Sequence, residues 1–466
     1  MGNHLFNTAN IRKTINYLQK NGIRQVYYAA RERIEEERKS DYIYEEPKGD
    51  VLAAQKRGWK EFPYRFSIVV PAYETKEEYM RALIDSVRKQ SYERWELIIA
   101  DASASGCVEE IVSEYQEKGH ERRIRYIRLM ENKGISENTN TGIEAAEGDY
   151  IGLLDHDDVL SADALYEIAS VIYKAEKKGN KPVLVYSDED KFDSGTNVYK
   201  DVNRKYDFNL DLILSNNYIC HFMVTDAAMM KNLKLRSRYD GAQDYDLVLR
   251  IIGRLLSSKG KTDANELNKS VLHVSKVLYH WRCHENSTAE NTASKSYAYE
   301  AGKAALADFC EKQGWKTQTS HSLHLGFYRI EYLPDMFSAR LDIGIIGGRI
   351  LNGQNKIMSG IYNENGERLY VGVHKEYSGG RTHRAALIQD CAAVDIRCMR
   401  VRSELQPVFE EITHVTYRES GKQNLADVSG ILCDEEGYRK LSLKLGEAAA
   451  RLGYLVVWNP QITIKL

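Results

Sequence analysis

"GDYIGLLDHDD", residues 148–158, sets an apolar run, Tyr150-Ile151-Gly152-Leu153-Leu154, directly against Asp155-His156-Asp157-Asp158. The run is short and apolar enough to be a buried strand. Its acidic end must reach a surface, because clustered carboxylates repel unless a cation or a proton settles them. Three more β-rich runs precede it: "FSIVV" at 66–70, "WELIIA" at 95–100 and "IRYIRL" at 124–129. Between them lie "TKEEYMRALIDSVRKQ", "CVEEIVSEYQEKG" and "ISENTNTGIEAAEG", each with apolar residues at helical spacing. Strands alternating with helices predict crossover units and a parallel sheet covered on both faces. In such sheets ligands bind beyond the carboxyl ends of the strands. Pro71-Ala72-Tyr73-Glu74, Asp101-Ala102-Ser103 and the acid cluster therefore share one rim.

The rim suggests phosphate chemistry. Few carboxylates with positions left for water or phosphate oxygens suit a hard divalent ion. Neither a Gly-x-Gly-x-x-Gly fingerprint nor a Walker pattern follows the first strand, so a glycine cradle is not the device used here, and a nicotinamide oxidoreductase is disfavoured. An ion bridging a diphosphate would neutralise a leaving group without one. Asp101 and Ser103 have an alternative as helix caps.

The whole chain frames this core. Its 466 residues exceed one ordinary core, so two or three packed units are expected. A hydrophobic fraction of 43%, a charged fraction of 28% and only 7 Pro fit a soluble globular protein without long disordered linkers. A net charge of −2 offers no footprint for nucleic acid. Seven scattered cysteines with no Cys-x-x-Cys pair point to a reducing compartment and no structural zinc. No apolar run approaches the roughly 18 residues that span a bilayer, so a cytoplasmic location is expected. Residues 10–37 read as helix, broken at Asn21-Gly22, with a charged far face, "RERIEEERKS". That face is a solvated surface or a docking face for an anionic membrane or a partner.

Six stretches in order resemble glycosyltransferase family 2, the inverting enzymes of the GT-A nucleotide-sugar fold: "FSIVVPAYE", "WELIIADAS", "ENKGISENTNTGI", "GDYIGLLDHDD", "GAQDYDLVLR" and "LYHWRCHENSTA". The resemblance covers roughly residues 60–310. It implies an α/β GT-A domain at 61–315 with a mostly parallel, Rossmann-like sheet, after an N-terminal helical extension at 1–60. It implies that Pro71, Tyr73 and Glu74 border the base and ribose and that Asp101 hydrogen-bonds the base. Asp155 and Asp157 form the Asp-x-Asp element, with Asp157 or Asp158 meeting Mn²⁺ or Mg²⁺ and the sugar diphosphate; His156 is read as a spacer. Asn132, Gly134 and Asn140 match the segment passing the donor pocket, with turning and capping the next helix as an equal alternative.

Inverting transfer needs a base opposite the leaving group. Asp244 stands where the family's base stands, and is preferred to Asp246, which is the structural partner at the helix start. Arg282 and His284 resemble the Arg-x-His element, which closes over the diphosphate and places the histidine near the metal, with Ser287 beside them. Asp188, Glu189 and Asp190, and likewise Asn217 and His221, match the lining of the donor or acceptor pocket, with helix capping as the alternative for both stretches, and Trp281 is read as a pocket wall in preference to a sugar platform. Two departures stand out: Gln243 replaces the acid that often precedes the base, and Ala100 and Ala102 flank Asp101. The second weakens base recognition, so UDP-sugars are favoured over dTDP-sugars only slightly.

Residues 320–466 resemble, less closely, the acceptor-side half of a second such module. No Asp-x-Asp precedes it, and Arg439-Lys440 stand where a base is expected, with Asp434, Glu435 and Glu436 just upstream. A catalytically silent accessory domain is expected there, for packing, self-association or holding a long acceptor. The resulting expectation is a metal-dependent glycosyltransferase moving a sugar to a glycan or lipid-linked acceptor in cell-envelope or exopolysaccharide assembly, at the cytoplasmic membrane face. The alternative is a silent nucleotide-sugar or glycan-binding scaffold.

Overall fold

The structure, a computed structural model, describes residues 8–37, 42–193, 195–196, 198–257, 264–283, 296–380 and 382–466. Helix α1 (Thr8–Glu37) carries non-helical backbone at Gly22, where φ is 78°, in agreement with the break read at Asn21-Gly22. Helix α2 (Gly49–Gly58) leads into the sheet. The four apolar runs become β1 (Phe66–Ala72), β2 (Trp95–Asp101), β3 (Ile124–Arg128) and β4 (Tyr150–Leu153). All are parallel, in the order β3-β2-β1-β4.

The crossovers are α3 (Glu77–Arg88), α4 (Cys107–Glu117) and α5 (Ile135–Ala145). Alternation along the strands feeds two cores. Val69, Ile98 and Ile151 face one, with Ile143 of α5. Ile68, Val70, Leu97 and Ile99 face the other, with Met80, Leu83, Ile84 and Val87 of α3 at helical spacing. On α5, a Cβ on Gly142 would lie 2.5 Å from Val69 Cγ1, so only glycine lets this helix approach β1 so closely.

Beyond β4 come β5 (Val159–Leu160), α6 (Ala164–Glu176), β6 (Leu184–Asp193), β7 (Val198–Asn203), α7 (Leu210–Ile213), β8 (Met223–Asp226) and α8 (Ala227–Leu233). Then follow α9 (Gln243–Ser257), α10 (Ala264–Ser270), β9 (Val271–Arg282) and α11 (Ser296–Lys312). The nine-stranded sheet runs β3-β2-β1-β4-β8-β6-β9-β5, with β7 on β6. Its first half is parallel as expected. Its second half is mixed, because β8 inserts antiparallel to both β4 and β6.

The C-terminal third holds a hairpin, Thr317–His321 with Tyr328–Tyr332, and a second sheet of five strands. Ile343–Leu351 and Leu455–Lys465 pair in parallel within that sheet, and the helix Glu435–Arg451 packs nearby. It is joined to the first sheet by buried polar contacts. Arg340, fully buried, donates to Asp211 at 2.8 Å and to Asp342, and Asn209 exchanges two hydrogen bonds with the backbone of Asp390. Among the described residues no helix is long and apolar enough to cross a membrane.

Candidate active site

The rim is built by loops that tie themselves together. Glu74, held at a left-handed φ of 47°, accepts from the Ala104 N–H at 2.7 Å, and its own N–H donates to Ser103 Oγ. Pro71 is in register with Ala100, while Tyr73 is half exposed above the sheet edge. Asp101 is fully buried: Oδ1 accepts from the Ser103 N–H and hydroxyl, and Oδ2 from Tyr126 at 2.8 Å. Its carboxylate braces the rim instead of standing open to it. His156 joins the loop after β1 to the acid loop through Thr75 at 2.8 Å, which gives the residue read as a spacer a positioning task.

The three aspartates differ. Asp155 and Asp157 are partly exposed, whereas Asp158 is fully buried. Asp158 Oδ1 accepts from the Arg282 N–H at 2.7 Å and Oδ2 from the Tyr279 hydroxyl. Burial, then the neighbouring Asp157 and Asp155, push its pKa well above the carboxylate range. Of the two candidate metal ligands, Asp157 is the more exposed, whereas both oxygens of Asp158 already accept from buried donors within the protein. Arg282 is itself buried beneath the loop, donating through Nε to the Asp157 carbonyl. Among the described residues its buried Nη2 has no partner. His284 and Ser287 lie outside the described residues.

Asp244 sits in the first turn of α9, partly exposed. Its Oδ2 accepts from Asn217 Nδ2 at 2.7 Å and from Cys220 Sγ at 2.9 Å. Burial, then Asp244 and Glu189, raise the Cys220 pKa well above its usual value, so the thiol keeps the proton it donates. Adjacent His221 places Nε2 3.6 Å from Asp155 Oδ2 and Nδ1 3.4 Å from Glu189 Oε2. Burial raises the Asp155 pKa, and Asp157 and Asp244 add to this while His221 and His156 oppose it. The acid loop and the candidate base thus lie in one field, linked by Cys220-His221. Asp246, by contrast, is buried against Arg236 and Arg250.

Other expected residues hold the frame. Asp188 accepts from the Lys205 N–H and His273, and Asp190 from Tyr42 and His280. Asn132 caps the turn at Gly134 and Asn138, and Asn140 grips the N–H and carbonyl of Leu235. Gly134 has φ 93°, and a Cβ there would meet Asp240 Oδ2 at 2.7 Å. In the C-terminal third, Asp434 caps its helix while Glu435 and Glu436 pair with Arg397 and Arg439.

Beside Asn217 opens a cavity of about 260 Å³, lined by Glu189, Asp190 and Trp281 of the first sheet together with Phe327, Thr382 and Arg384 of the C-terminal third. Sequence reasoning missed Lys205, whose buried ammonium meets Glu189 and the carbonyls of Ile219 and His221, and also Cys220 and Arg384. Neither Lys205 nor Arg384 carries a local signal. Cys220 is the chain neighbour of His221, a residue that the resemblance did single out.

Residues 67–234 match the model of glycosyl transferase family 2. An uncharacterised protein, y4gI, of Sinorhizobium fredii is 38% identical over 52% of this chain and 25% of its own length. The O-antigen biosynthesis protein RfbC of Myxococcus xanthus is 30% identical over 57% and 19%. The amylovoran biosynthesis glycosyltransferase AmsB of Erwinia amylovora is 30% identical over 40% and 63%. The matches thus span a quarter or less of the first two relatives. The matched segment carries β1 to β4, the rim loops and the acid cluster, so the likeness to glycosyl transferase family 2 falls on the part of the chain that builds the rim.

Proposed function

We propose that the protein is an inverting glycosyltransferase that moves a sugar from a nucleotide-sugar donor, a UDP-sugar in preference to a dTDP-sugar, to a glycan or lipid-linked acceptor. The setting is cell-envelope or exopolysaccharide assembly at the cytoplasmic membrane face, in keeping with relatives named for O-antigen and amylovoran biosynthesis. One observation carries the reading: Asp155, His221, Cys220 and Asp244 form a continuous chain of contacts between the acid loop and the candidate base.

In this reading Asp244 takes the proton of the acceptor hydroxyl as its oxygen bonds the anomeric carbon and the bond to the nucleoside diphosphate breaks. Both hydrogen bonds from Asn217 and Cys220 fall on Oδ2, so among the described residues Oδ1 is left to face the hydroxyl. Asp155 and Asp157 present oxygen ligands suited to Mn²⁺ or Mg²⁺. The orphaned Arg282 Nη2 beneath the same loop fits the anionic oxygens of a diphosphate. A bound cation would supply charge neutralisation of the departing diphosphate.

The test is nucleotide release from a panel of UDP- and dTDP-sugars with Mn²⁺ and with chelator. Release with Mn²⁺ is expected from wild type, and Asp244→Asn should lower kcat by roughly 10²–10⁴-fold. No release from any donor, or full activity in Asp244→Asn, would contradict the reading.

A further inference from the structure

We propose that the C-terminal third completes the acceptor site by binding an oxyanion of the acceptor, a uronate carboxylate or a phosphate, through Arg384 together with Arg204. This rests on the glycosyltransferase reading and names the acceptor's chemical class.

The cavity beside Asn217 has mixed walls: Trp281 comes from β9, Arg204, Tyr206 and Asn217 from the first sheet's connections, and Thr382 and Arg384 from the C-terminal third. The acids that line it are already engaged. Glu189 is met by Lys205 and Asn203, Asp190 by Tyr42 and His280, and Asp201 by Lys191. The two guanidinium groups are not. Arg384 is 7% exposed and lies over Tyr206, its Cζ 3.2 Å from the ring centre, yet among the described residues its buried Nε has no partner. Among the described residues no carboxylate pairs with either Arg384 or the exposed Arg204, both of which line the same opening.

A buried guanidinium is stable only when its donors and charge are answered, and stacking on an aromatic ring answers neither fully. Asn217 Oδ1, on the same wall, is likewise buried and has no partner among the described residues, while its amide nitrogen holds Asp244. A sugar hydroxyl donating to Asn217 Oδ1 and an oxyanion accepting from Arg384 would satisfy both orphans at once. It would also bring the acceptor beside the base. At about 260 Å³ the space falls just short of the roughly 300–1,000 Å³ of complete ligand sites, so it suits one charged unit of a longer acceptor.

The experiment titrates the full chain, without donor, with methyl β-glucuronoside, glucose 1-phosphate and methyl β-glucoside, following ligand-observed NMR. At least one charged probe is expected to bind ten-fold or more tightly than the neutral one, and which of them does so separates carboxylate from phosphate. Arg384→Gln should abolish that preference and Arg384→Lys should keep part of it. Arg204→Gln, at an exposed position where folding is not at stake, should reduce it several-fold. Equal binding of charged and neutral probes by wild type overturns the inference, as does an undiminished preference in both Arg384→Gln and Arg204→Gln. Because these titrations need no turnover, nucleotide release by wild type with no charge preference overturns this inference alone. A preference that depends on Arg384, with no nucleotide release, upholds it and overturns the catalytic reading.

Discussion

Asp157 and Asp158 are chain neighbours with opposite surroundings, and the difference decides what each can do. Asp158 has no exposure, and its oxygens answer the Tyr279 hydroxyl and the Arg282 N–H, which would be buried and unpaired without it. Asp158→Ala should therefore cost about 2–4 kcal/mol in urea unfolding, each stranded donor contributing a desolvation penalty. A surface-like cost below about 0.5 kcal/mol would show that the carboxyl is not structural. In the sequence, three aspartates within four positions look alike. The pattern placed the cluster correctly at a strand end, but only burial separates the brace from the residues that face outward. Asp101 shows the same limit: its position after β2 was legible, whereas its engagement by Ser103 and Tyr126 depends on side chains that converge from β2, β3 and the loop between them.

Strands β6 and β9 run parallel and are stitched by two histidine–aspartate pairs, Asp188 with His273 and Asp190 with His280. Burial pulls the His273 pKa down, but its hydrogen bonds to Asp188 and to the more exposed Asp207 outweigh it, and the net shift is upward from 6.5. A raised histidine pKa means that the folded chain binds the proton more tightly than the unfolded chain does. The added stability is thus complete below about pH 6.5 and fades as pH rises through the folded value. Thermal unfolding of His273→Asn against wild type from pH 5 to 9 should show a gap on the order of 1–2 kcal/mol at pH 5–6 that narrows towards pH 9. A gap that widens with pH would reverse the sign. The sequence pointed to Asp188 and Asp190 only through their match to the family's pocket lining. Their histidine partners lie some ninety residues away, on a strand whose pairing with β6 local pattern does not specify.

At the scale of the whole molecule, Arg340 holds the two sheets together through Asp211 on one side and Asp342 on the other, all of them buried or nearly so. Removing one partner from a buried ionic network leaves uncompensated charge, so Arg340→Met should destabilise the chain by about 3–5 kcal/mol, read by denaturant unfolding. A loss under about 1 kcal/mol would mean that the sheets are joined by other contacts. The first four strands and their crossovers were legible because each is a local pattern of period 2 or 3.6. The insertion of β8 and the approach of Arg384 to Tyr206 were not, because both are long-range contacts with no local signature. The division of labour between the acid loop and Asp244 links all these scales, and calorimetry of UDP binding with Mn²⁺ tests it directly. Asp157→Asn should lose UDP affinity ten-fold or more, while Asp244→Asn should bind UDP like wild type and yet fail to turn over. Unchanged UDP binding by Asp157→Asn, or loss of binding in Asp244→Asn, would contradict it.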